Sequence, residues 1–319
     1  MAQEFYKASA PGSLMLFGEH AVLHGKKAIV ASVQQRITVT IAPRKDEQVN
    51  IASSLGRYHS RISDLKIEKP FQFVLTCLTS SKKYLSYGYD ITIDSNISDT
   101  VGLGSSAAVT VATLAALNAS QSILFSKQDL LIQAKKIILD VQGMGSGADL
   151  AASIYGGIVS YRSDPLEVEM LPQLHDISLI YTGSKTPTTE VIKHVATLAE
   201  KSPEKYRQLY DEIDLCAQQA VSAIQKENWV KVGELMNQQQ SLMQDLGVSN
   251  GLIDSLIEQS LLSDAVLGAK ISGSGLGDCI LILGRLQSRY FPRNEEQEKQ
   301  GVCMINTKLA KQGVSIESS

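Results

Sequence analysis

Cysteine is scarce in this sequence, and its placement excludes two kinds of site. The four cysteines, Cys77, Cys216, Cys279 and Cys303, are far apart and form no CxxC pair and no Cys/His cluster. Structural zinc sites and disulfide frameworks both need cysteines at characteristic spacings. We therefore expect reduced thiols, as in a cytoplasmic protein, and no structural zinc.

Long hydrophobic runs are also missing. No window approaches the roughly 18 consecutive apolar residues that a transmembrane helix requires. Near the N-terminus an apolar stretch is interrupted by Glu4, Pro11 and Gly12, and it lacks the basic region and long apolar core of a secretory signal. These patterns predict a cytoplasmic protein with no membrane partner.

Neither sign of charge dominates. The chain has 30 lysines and arginines against 33 aspartates and glutamates, a formal net charge of -3. This balance gives no reason to expect nucleic acid or an anionic membrane as a partner. Any phosphate binding must therefore come from local geometry.

The first half of the chain changes its hydrophobic period. Residues 37–41 and 89–94 alternate apolar and polar side chains, which predicts strands. From Ser105 an alanine- and leucine-rich run predicts a mostly buried helix. A second helix is expected from Ser126, where the sequence SKQD forms a capping box. We assign residues 1–165 to an N-terminal α+β domain.

The second half begins with a predicted strand, ISLIYTG, and continues with long helical patterns between residues 202 and 262. Two further apolar segments, GAKIS and CILILG, predict strands on either side of the glycine-rich sequence GSGLG. The chain has 319 residues, 44% of them hydrophobic, which suits two globular domains. We assign residues 166–319 to the second α+β domain.

The strongest functional motif is Gly102–Ala108, GLGSSAA, between a predicted strand and a predicted helix. Its glycines let the backbone approach a ligand, and the helix that follows directs unpaired amides and its positive dipole end at the loop. Such a loop suits a di- or triphosphate, and Ser105 and Ser106 add hydroxyls for phosphate or Mg²⁺. The Walker A and Rossmann patterns are absent. The alternative is a serine N-cap on a core helix.

Two further glycine-rich segments follow. Gly143–Asp149 ends on a carboxylate that could accept a proton from a substrate hydroxyl, although Asp149 could also be a helix N-cap. Gly273–Gly277 lies between two strands and could by itself be a tight hairpin. Three separate glycine loops in one chain suggest several backbone segments that converge on one polyanionic ligand.

Together these segments resemble the GHMP kinases. The opening APGSLMLFGEHAVLHG, the central GLGSSAAVTVA and the late AKISGSGLGDC look like the three motifs of that superfamily, in the right order and over residues 10–284. The resemblance implies a two-domain α+β fold. Its N-terminal domain would be of the ribosomal-protein-S5 type and its C-terminal domain ferredoxin-like, with ATP between them.

Within the superfamily, FGEHAVLHG and residues 246–257 are most similar to mevalonate kinases. This resemblance implies phosphorylation of the C5 hydroxyl of mevalonate by ATP. The pairing of GSGADLAASIYGG with GDC leans towards phosphomevalonate kinases, which is the alternative. A homologue that binds nucleotide without catalysis is the alternative from another class.

The resemblance also implies residue roles. Asp149 would be the base or orienting carboxylate, and Glu19 and His20 would line the substrate side, with His20 hydrogen-bonded to the acceptor. Ser106 would lie near Mg²⁺. The nucleotide would be held by two segments, namely Gly102, Leu103, Gly104, Ser105, Ser106 and Ala107, and Gly273, Ser274 and Gly275.

One residue departs clearly from the resemblance. Mevalonate kinases usually carry a lysine after the first Pro-Gly, where a cation would stabilise developing negative charge, and this chain has Ser13. Lys7 or Lys185 could replace the lysine. Otherwise Mg²⁺ and Asp149 would carry more of the work, or the activity would be weakened.

The metal-binding acid is a second departure. Counted back from Asp149, the usual glutamate position holds Ile138, and Asp140 lies two residues further along. We predict Asp140 as the Mg²⁺ ligand beside Ser106, with a solvated surface carboxylate as the alternative. The apolar helices between residues 203 and 262 could form the face of a homodimer.

Overall fold

The structure, a computed structural model, describes residues 4–85, 87–98, 101–172 and 175–318. The strands are β1 (Tyr6–Phe17), β2 (Ala28–Pro43), β3 (Gln48–Ser53), β4 (Gly56–Arg61), β5 (Tyr89–Ser95), β6 (Ile158–Ser163), β7 (Leu166–Leu171), β8 (Ile177–Tyr181), β9 (Val266–Ser272), β10 (Cys279–Gly284), β11 (Cys303–Ile305) and β12 (Ser315–Ser318). The helices are α1 (Gln72–Ser81), α2 (Ser105–Ser120), α3 (Lys127–Gln142), α4 (Ala148–Tyr155), α5 (Thr188–Lys201), α6 (Pro203–Gln225), α7 (Trp229–Asp245), α8 (Gly251–Leu261) and α9 (Glu295–Gln300).

The first sheet is built around the long antiparallel pair β1 and β2, and its order is β12-β1-β2-β5-β3-β4. The alternation over residues 37–41 is confirmed, because Ile37, Val39 and Ile41 are buried within β2. The predicted strand over residues 89–94 is also confirmed as β5.

Helices α1 to α4 cover this sheet, and α2 lies at their centre against β1 and β2. Its small and apolar side chains explain this position, since residues from Ala107 to Asn118 are buried on almost every face. The capping box predicted at the start of α3 is confirmed: Ser126 accepts from the amide of Asp129, whose carboxylate in turn accepts from the amide of Ser126.

The second sheet is antiparallel, with the order β11-β8-β10-β9. Helix α7 packs along β9, where Gly233 and Gly268 let the two backbones approach closely. A β-carbon added to Gly233 would lie 2.2 Å from the Leu267 carbonyl oxygen. Among the described residues, no helix is long and apolar enough to cross a membrane.

Strand pairing connects the two halves of the chain differently from the division expected at residue 165. That position lies at the turn of the β6–β7 hairpin, and β6 pairs with β2, so residues 166–171 extend the first sheet. The chain also returns at its end, where β12 pairs with β1. Composition along the chain does not predict the pairing of β6 with β2 or of β12 with β1, because these strands are distant in sequence.

Candidate active site

The three glycine-rich segments meet in one cleft between the two sheets. The cleft is lined by residues of the predicted phosphate loop (102–107, here called the phosphate loop), the α3–α4 connection (144–147), and the β9–β10 connection (residues 273–278, here called the 273–278 loop). The end of β1 and the start of α5 complete its walls. The convergence expected from the sequence is therefore present.

The phosphate loop places free amides at the start of α2. Gly104 occupies the N-cap in a left-handed conformation, φ 65°, and no side chain caps the helix, so the alternative of a serine cap is wrong. A β-carbon on Gly104 would lie 2.0 Å from Ser13 Oγ, so glycine is required there. Ser105 and Ser106 face the cleft, whereas Leu103 is buried and its carbonyl accepts from the Ser13 amide at 3.0 Å.

Asp149 is the second residue of α4 and faces the phosphate loop across the cleft. The cap position belongs to Gly147, so Asp149 is not an N-cap. Ser13 Oγ donates to Asp149 Oδ1 at 2.7 Å. The carboxylate is accessible from the cleft but crowded by protein on its other sides. This desolvation raises the pKa of Asp149, and the hydrogen bond from Ser13 lowers it.

His20 lies in the cleft wall, just before a short 3-10 helix at Ala21–His24. Its Nε2 lies 2.8 Å from the Ser274 carbonyl oxygen. Burial lowers the pKa of His20, so the ring is neutral, and the carbonyl contact requires the proton on Nε2. That tautomer leaves Nδ1 as a hydrogen-bond acceptor.

Glu19 forms a buried ion pair that the sequence did not reveal. Its Oε1 accepts from Lys270 Nζ, and both side chains are nearly inaccessible, at 1% and 0%. Glu19 also lines the cleft, and its buried Oε2 has no hydrogen-bond partner among the described residues. A lysine in the apolar segment GAKIS was the available signal, because a buried lysine needs a counter-charge.

Two more lining residues come from the second half of the chain. Lys185, expected near the substrate, does lie in the cleft. Asp278 at the end of the 273–278 loop was not expected, and its Oδ1 accepts from the Gly102 amide at 2.6 Å. Its carboxylate therefore rests against the phosphate loop.

Comparisons with known proteins give the family of the chain. The family model "GHMP kinases N terminal domain" matches residues 72–157, and "GHMP kinases C terminal" matches residues 220–302. A mevalonate kinase from Archaeoglobus fulgidus is 37% identical over 295 residues, which are 92% of this chain and 98% of the relative. The chain belongs to the GHMP kinases. Another mevalonate kinase, from Aeropyrum pernix, is 32% identical over 86% of this GHMP kinase and 87% of its own length.

Solved structures share the two-domain GHMP kinase fold. The crystal structure of a Lin0012 protein from Listeria innocua superimposes with a TM-score of 0.85 at 22% identity, covering 98% of this chain and 99% of that one. Solved mevalonate, galactose and phosphomevalonate kinases share the fold at identities of 23%, 19% and 16%. The fold alone therefore does not select the acceptor.

Four of the expected site residues do not reach the cleft in this GHMP kinase. Asp140 is exposed on α3 and absent from the cleft lining, whereas Ile138 faces the cleft. A helix turns roughly 200° over two residues, so the two side chains point in opposite directions. Lys7 pairs with Glu317 at 3.4 Å on the first sheet, away from the cleft.

The other two expected residues belong to the nucleotide-binding set. Leu103 contributes only backbone near the cleft. Gly273 and Ser274 line the cleft, but Gly275 faces Val248, whose carbonyl oxygen would lie 2.4 Å from a β-carbon at that glycine. Gly275 therefore lets the 273–278 loop pack closely against Val248, and it does not contact the cleft. The third glycine motif is a wide loop between β9 and β10 instead of a tight hairpin, since Ser272 pairs with Cys279.

Proposed function

We propose that this GHMP kinase transfers the γ-phosphoryl group of ATP to the C5 hydroxyl of mevalonate. The observation that carries the proposal is the position of Asp149, which faces the phosphate loop with a pKa raised by desolvation. A carboxylate there suits proton acceptance from an alcohol more than an ordinary surface aspartate does. The mevalonate kinases among its relatives support the choice of acceptor.

In the proposed reaction, binding and electrostatics supply most of the acceleration. The unpaired amides at the start of α2 hold the phosphates, and Ser105 and Ser106 add hydroxyl donors. Asp149 accepts the proton of the C5 hydroxyl while the hydroxyl oxygen attacks the γ-phosphorus. Ser13 keeps the carboxylate oriented towards the acceptor.

Mg²⁺ is included in the proposal because the donor set fits it. The Ser106 hydroxyl and the Asp149 carboxylate offer oxygen ligands in one cleft, and Mg²⁺ in kinases takes one or two carboxylates together with substrate phosphates. Among the described residues no group of three or more His, Cys, Asp or Glu could hold a metal alone. When bound with ATP, Mg²⁺ offsets phosphate charge.

The substrate side of the cleft supports an acceptor that has both hydroxyls and a carboxylate. Nδ1 of His20 can accept from a hydroxyl, and Glu19 lies in the same wall of the cleft. Thr188 and Thr189, in the first turn of α5, also line the cleft. A helix N-terminus attracts anions, so we place the mevalonate carboxylate there.

The two alternatives are less well supported. A phosphorylated acceptor brings a dianion, which proteins usually hold with several lysines or arginines. Lys185 is the only lysine or arginine among the described residues that line the cleft, and this favours mevalonate over phosphomevalonate. The position of Asp149 in the same cleft as the phosphate loop argues against a homologue without catalysis.

The proposal extends to the organisation of the molecule. We place the boundary between the two domains after β7, at residue 171, with β12 returning to the first sheet. Cytoplasmic location and a homodimer formed through the helices between residues 203 and 262 remain part of the proposal. Size-exclusion chromatography with light scattering tests the dimer.

The deciding experiment is ADP release from the purified protein with MgATP and one of four acceptors: mevalonate, phosphomevalonate, galactose or homoserine. Turnover with mevalonate alone is the expected result. Turnover with phosphomevalonate but not mevalonate would mean that the proposed acceptor is wrong and the proposed phosphoryl transfer from ATP is correct. No ADP release with any of the four acceptors, together with tight ATP binding, would support a homologue that binds nucleotide without catalysis.

A further inference from the structure

The side chain of Lys185 supplies a positive charge to the cleft. Lys185 follows β8, and within the described part of the chain its ammonium group forms no hydrogen bond or ion pair. No other lysine or arginine lines the described cleft, although the cleft also contains the carboxylates of Asp149 and Asp278. A bound triphosphate would bring more negative charge into the cleft beside these carboxylates. The ammonium group of Lys185 would offset part of that charge.

Hydrogen bonds tie the segment around Lys185 to the 273–278 loop. The amide of Asp278 donates to the Ser184 carbonyl at 2.7 Å, and Thr186 Oγ1 donates to the Leu276 carbonyl at 2.7 Å. These bonds lie on both sides of Lys185 in sequence. The backbone on both sides of Lys185 is therefore held against the 273–278 loop.

Asp278 is itself fixed against the phosphate loop. Its Oδ1 accepts from the Gly102 amide, and Cys279 Sγ lies 3.7 Å away. Burial raises the pKa of Asp278, the positive charge of Lys185 and the Gly102 amide lower it, and the charge of Asp149 raises it. Asp278, Lys185 and Asp149 line the same cleft, so the charge of each acts on one region.

We propose that Asp278 positions Lys185 as the cation of the transfer step, in place of the lysine that this chain lacks at Ser13. The inference rests on the proposed kinase function and goes beyond it, because nothing in the sequence pairs residues 185 and 278. Asp278 is a positioning residue here, and Lys185 contacts the transferring phosphoryl group.

The chemical step balances without a further reactant. The acceptor oxygen forms a bond to the γ-phosphorus, while the bond from that phosphorus to the β–γ bridging oxygen breaks and its electron pair leaves with ADP. The acceptor proton moves to Asp149. Lys185 stays protonated throughout and offsets the charge that develops on the phosphoryl oxygens.

Lys185→Met is the first test, with Lys193→Met on the exposed face of α5 as its matched control. Removal of one preorganised donor to developing charge typically costs about 10²–10³ in kcat. We expect a loss of that size for Lys185→Met, with the KM for mevalonate changed by a small factor, and no loss for the control. Lys185→Arg should keep kcat within about tenfold, because it retains the charge.

Rescue separates a catalytic cation from a structural lysine. In the Lys185→Met background, Ser13→Lys places a cation beside Asp149, and we expect it to restore kcat at least about tenfold. Asp278→Asn alone should lower kcat at least about tenfold. If Asp278 acts through Lys185, the double variant Lys185→Met/Asp278→Asn should be no slower than Lys185→Met.

Binding of a transition-state mimic gives a readout that needs no acceptor. With MgADP and aluminium fluoride, Lys185→Met should weaken the affinity at least about tenfold, while the affinity for MgADP alone stays the same. Equal affinity for the mimic in the wild type and Lys185→Met, or wild-type kcat in the variant, would overturn the role of Lys185. Multiplicative losses in the double variant would overturn positioning by Asp278. If the proposed acceptor is wrong, the wild type itself is inactive with mevalonate, and this result is distinct from a failure of the role of Lys185.

Discussion

Ser13 Oγ donates a hydrogen bond to Asp149 Oδ1 at 2.7 Å, which joins β1 to the first turn of α4 across 136 positions of the chain. The partner of the proposed base is thus a neutral hydroxyl instead of a cation. Desolvation raises the pKa of Asp149, and only this hydrogen bond opposes it. The proposed base of this GHMP kinase is therefore tuned by desolvation and one hydroxyl.

Replacement of the proposed base tests the site directly. We expect Asp149→Asn to lower kcat by about 10²–10⁴, because an amide cannot accept the hydroxyl proton. Asp140→Asn is the control, since Asp140 is exposed on α3 outside the cleft, and it should keep the wild-type kcat. Steady-state ADP release with mevalonate measures both. A near-normal kcat in Asp149→Asn would remove Asp149 from the mechanism.

The pH dependence of kcat should report the hydrogen bond from Ser13. Activity requires the ionised carboxylate, so kcat falls as the pH falls through the pKa of Asp149. Ser13→Ala removes a bond that favours the charged form, so the pKa rises further and the acidic limb moves to higher pH. Ser222→Ala, on the exposed face of α6, should leave the limb in place. A shift to lower pH in Ser13→Ala would contradict the assignment.

Gly104 of the phosphate loop and Gly143 at the end of α3 form a matched pair of glycines. Gly104 and Gly143 both have left-handed backbones, φ 65° and 72°, so alanine strains each by about 1–2 kcal/mol. Only at Gly104 would the β-carbon strike Ser13, because nothing lies within 4 Å at Gly143. We expect Gly104→Ala to weaken ATP binding at least about tenfold in calorimetry and Gly143→Ala to leave it unchanged. Equal affinities in the two variants would argue against a phosphate site at Gly104.

The buried pair of Glu19 and Lys270 should matter for stability. Lys270→Met leaves the Glu19 carboxylate buried without its counter-charge, and we expect the free energy of unfolding to fall by about 3–5 kcal/mol. Adding Glu19→Gln should recover part of this loss, because a neutral amide costs less to bury. Urea denaturation measures each variant.

The exposed pair of Lys231 and Glu234 provides the control for that experiment. Their side chains are 49% and 59% exposed, so Lys231→Met should change the free energy of unfolding by less than about 1 kcal/mol. If Lys270→Met were as mild as this control, the buried pair would contribute little to the fold. A further loss on adding Glu19→Gln would show that the carboxylate, and not its charge, is what the site requires.

Local signals predicted two of the helices that cover the first sheet. The capping box at Ser126 and the alanine-rich run of α2 are formed by neighbours in sequence, and both are confirmed. Helix α5 was not predicted, although its first turn supplies Thr188 and Thr189 to the cleft. The strand β12 was also missed, because its pairing partner β1 lies at the opposite end of the chain.

The sequence by itself determined the family and predicted the phosphate loop and the proposed base, because glycine backbones, helix termini and motif order depend on residues close together in the chain. Only the tertiary structure decided which charges face the cleft. Helix phase turns Ile138 inward and Asp140 outward. The bond from Gly102 to Asp278 spans 176 positions, and no local pattern encodes a contact at that separation.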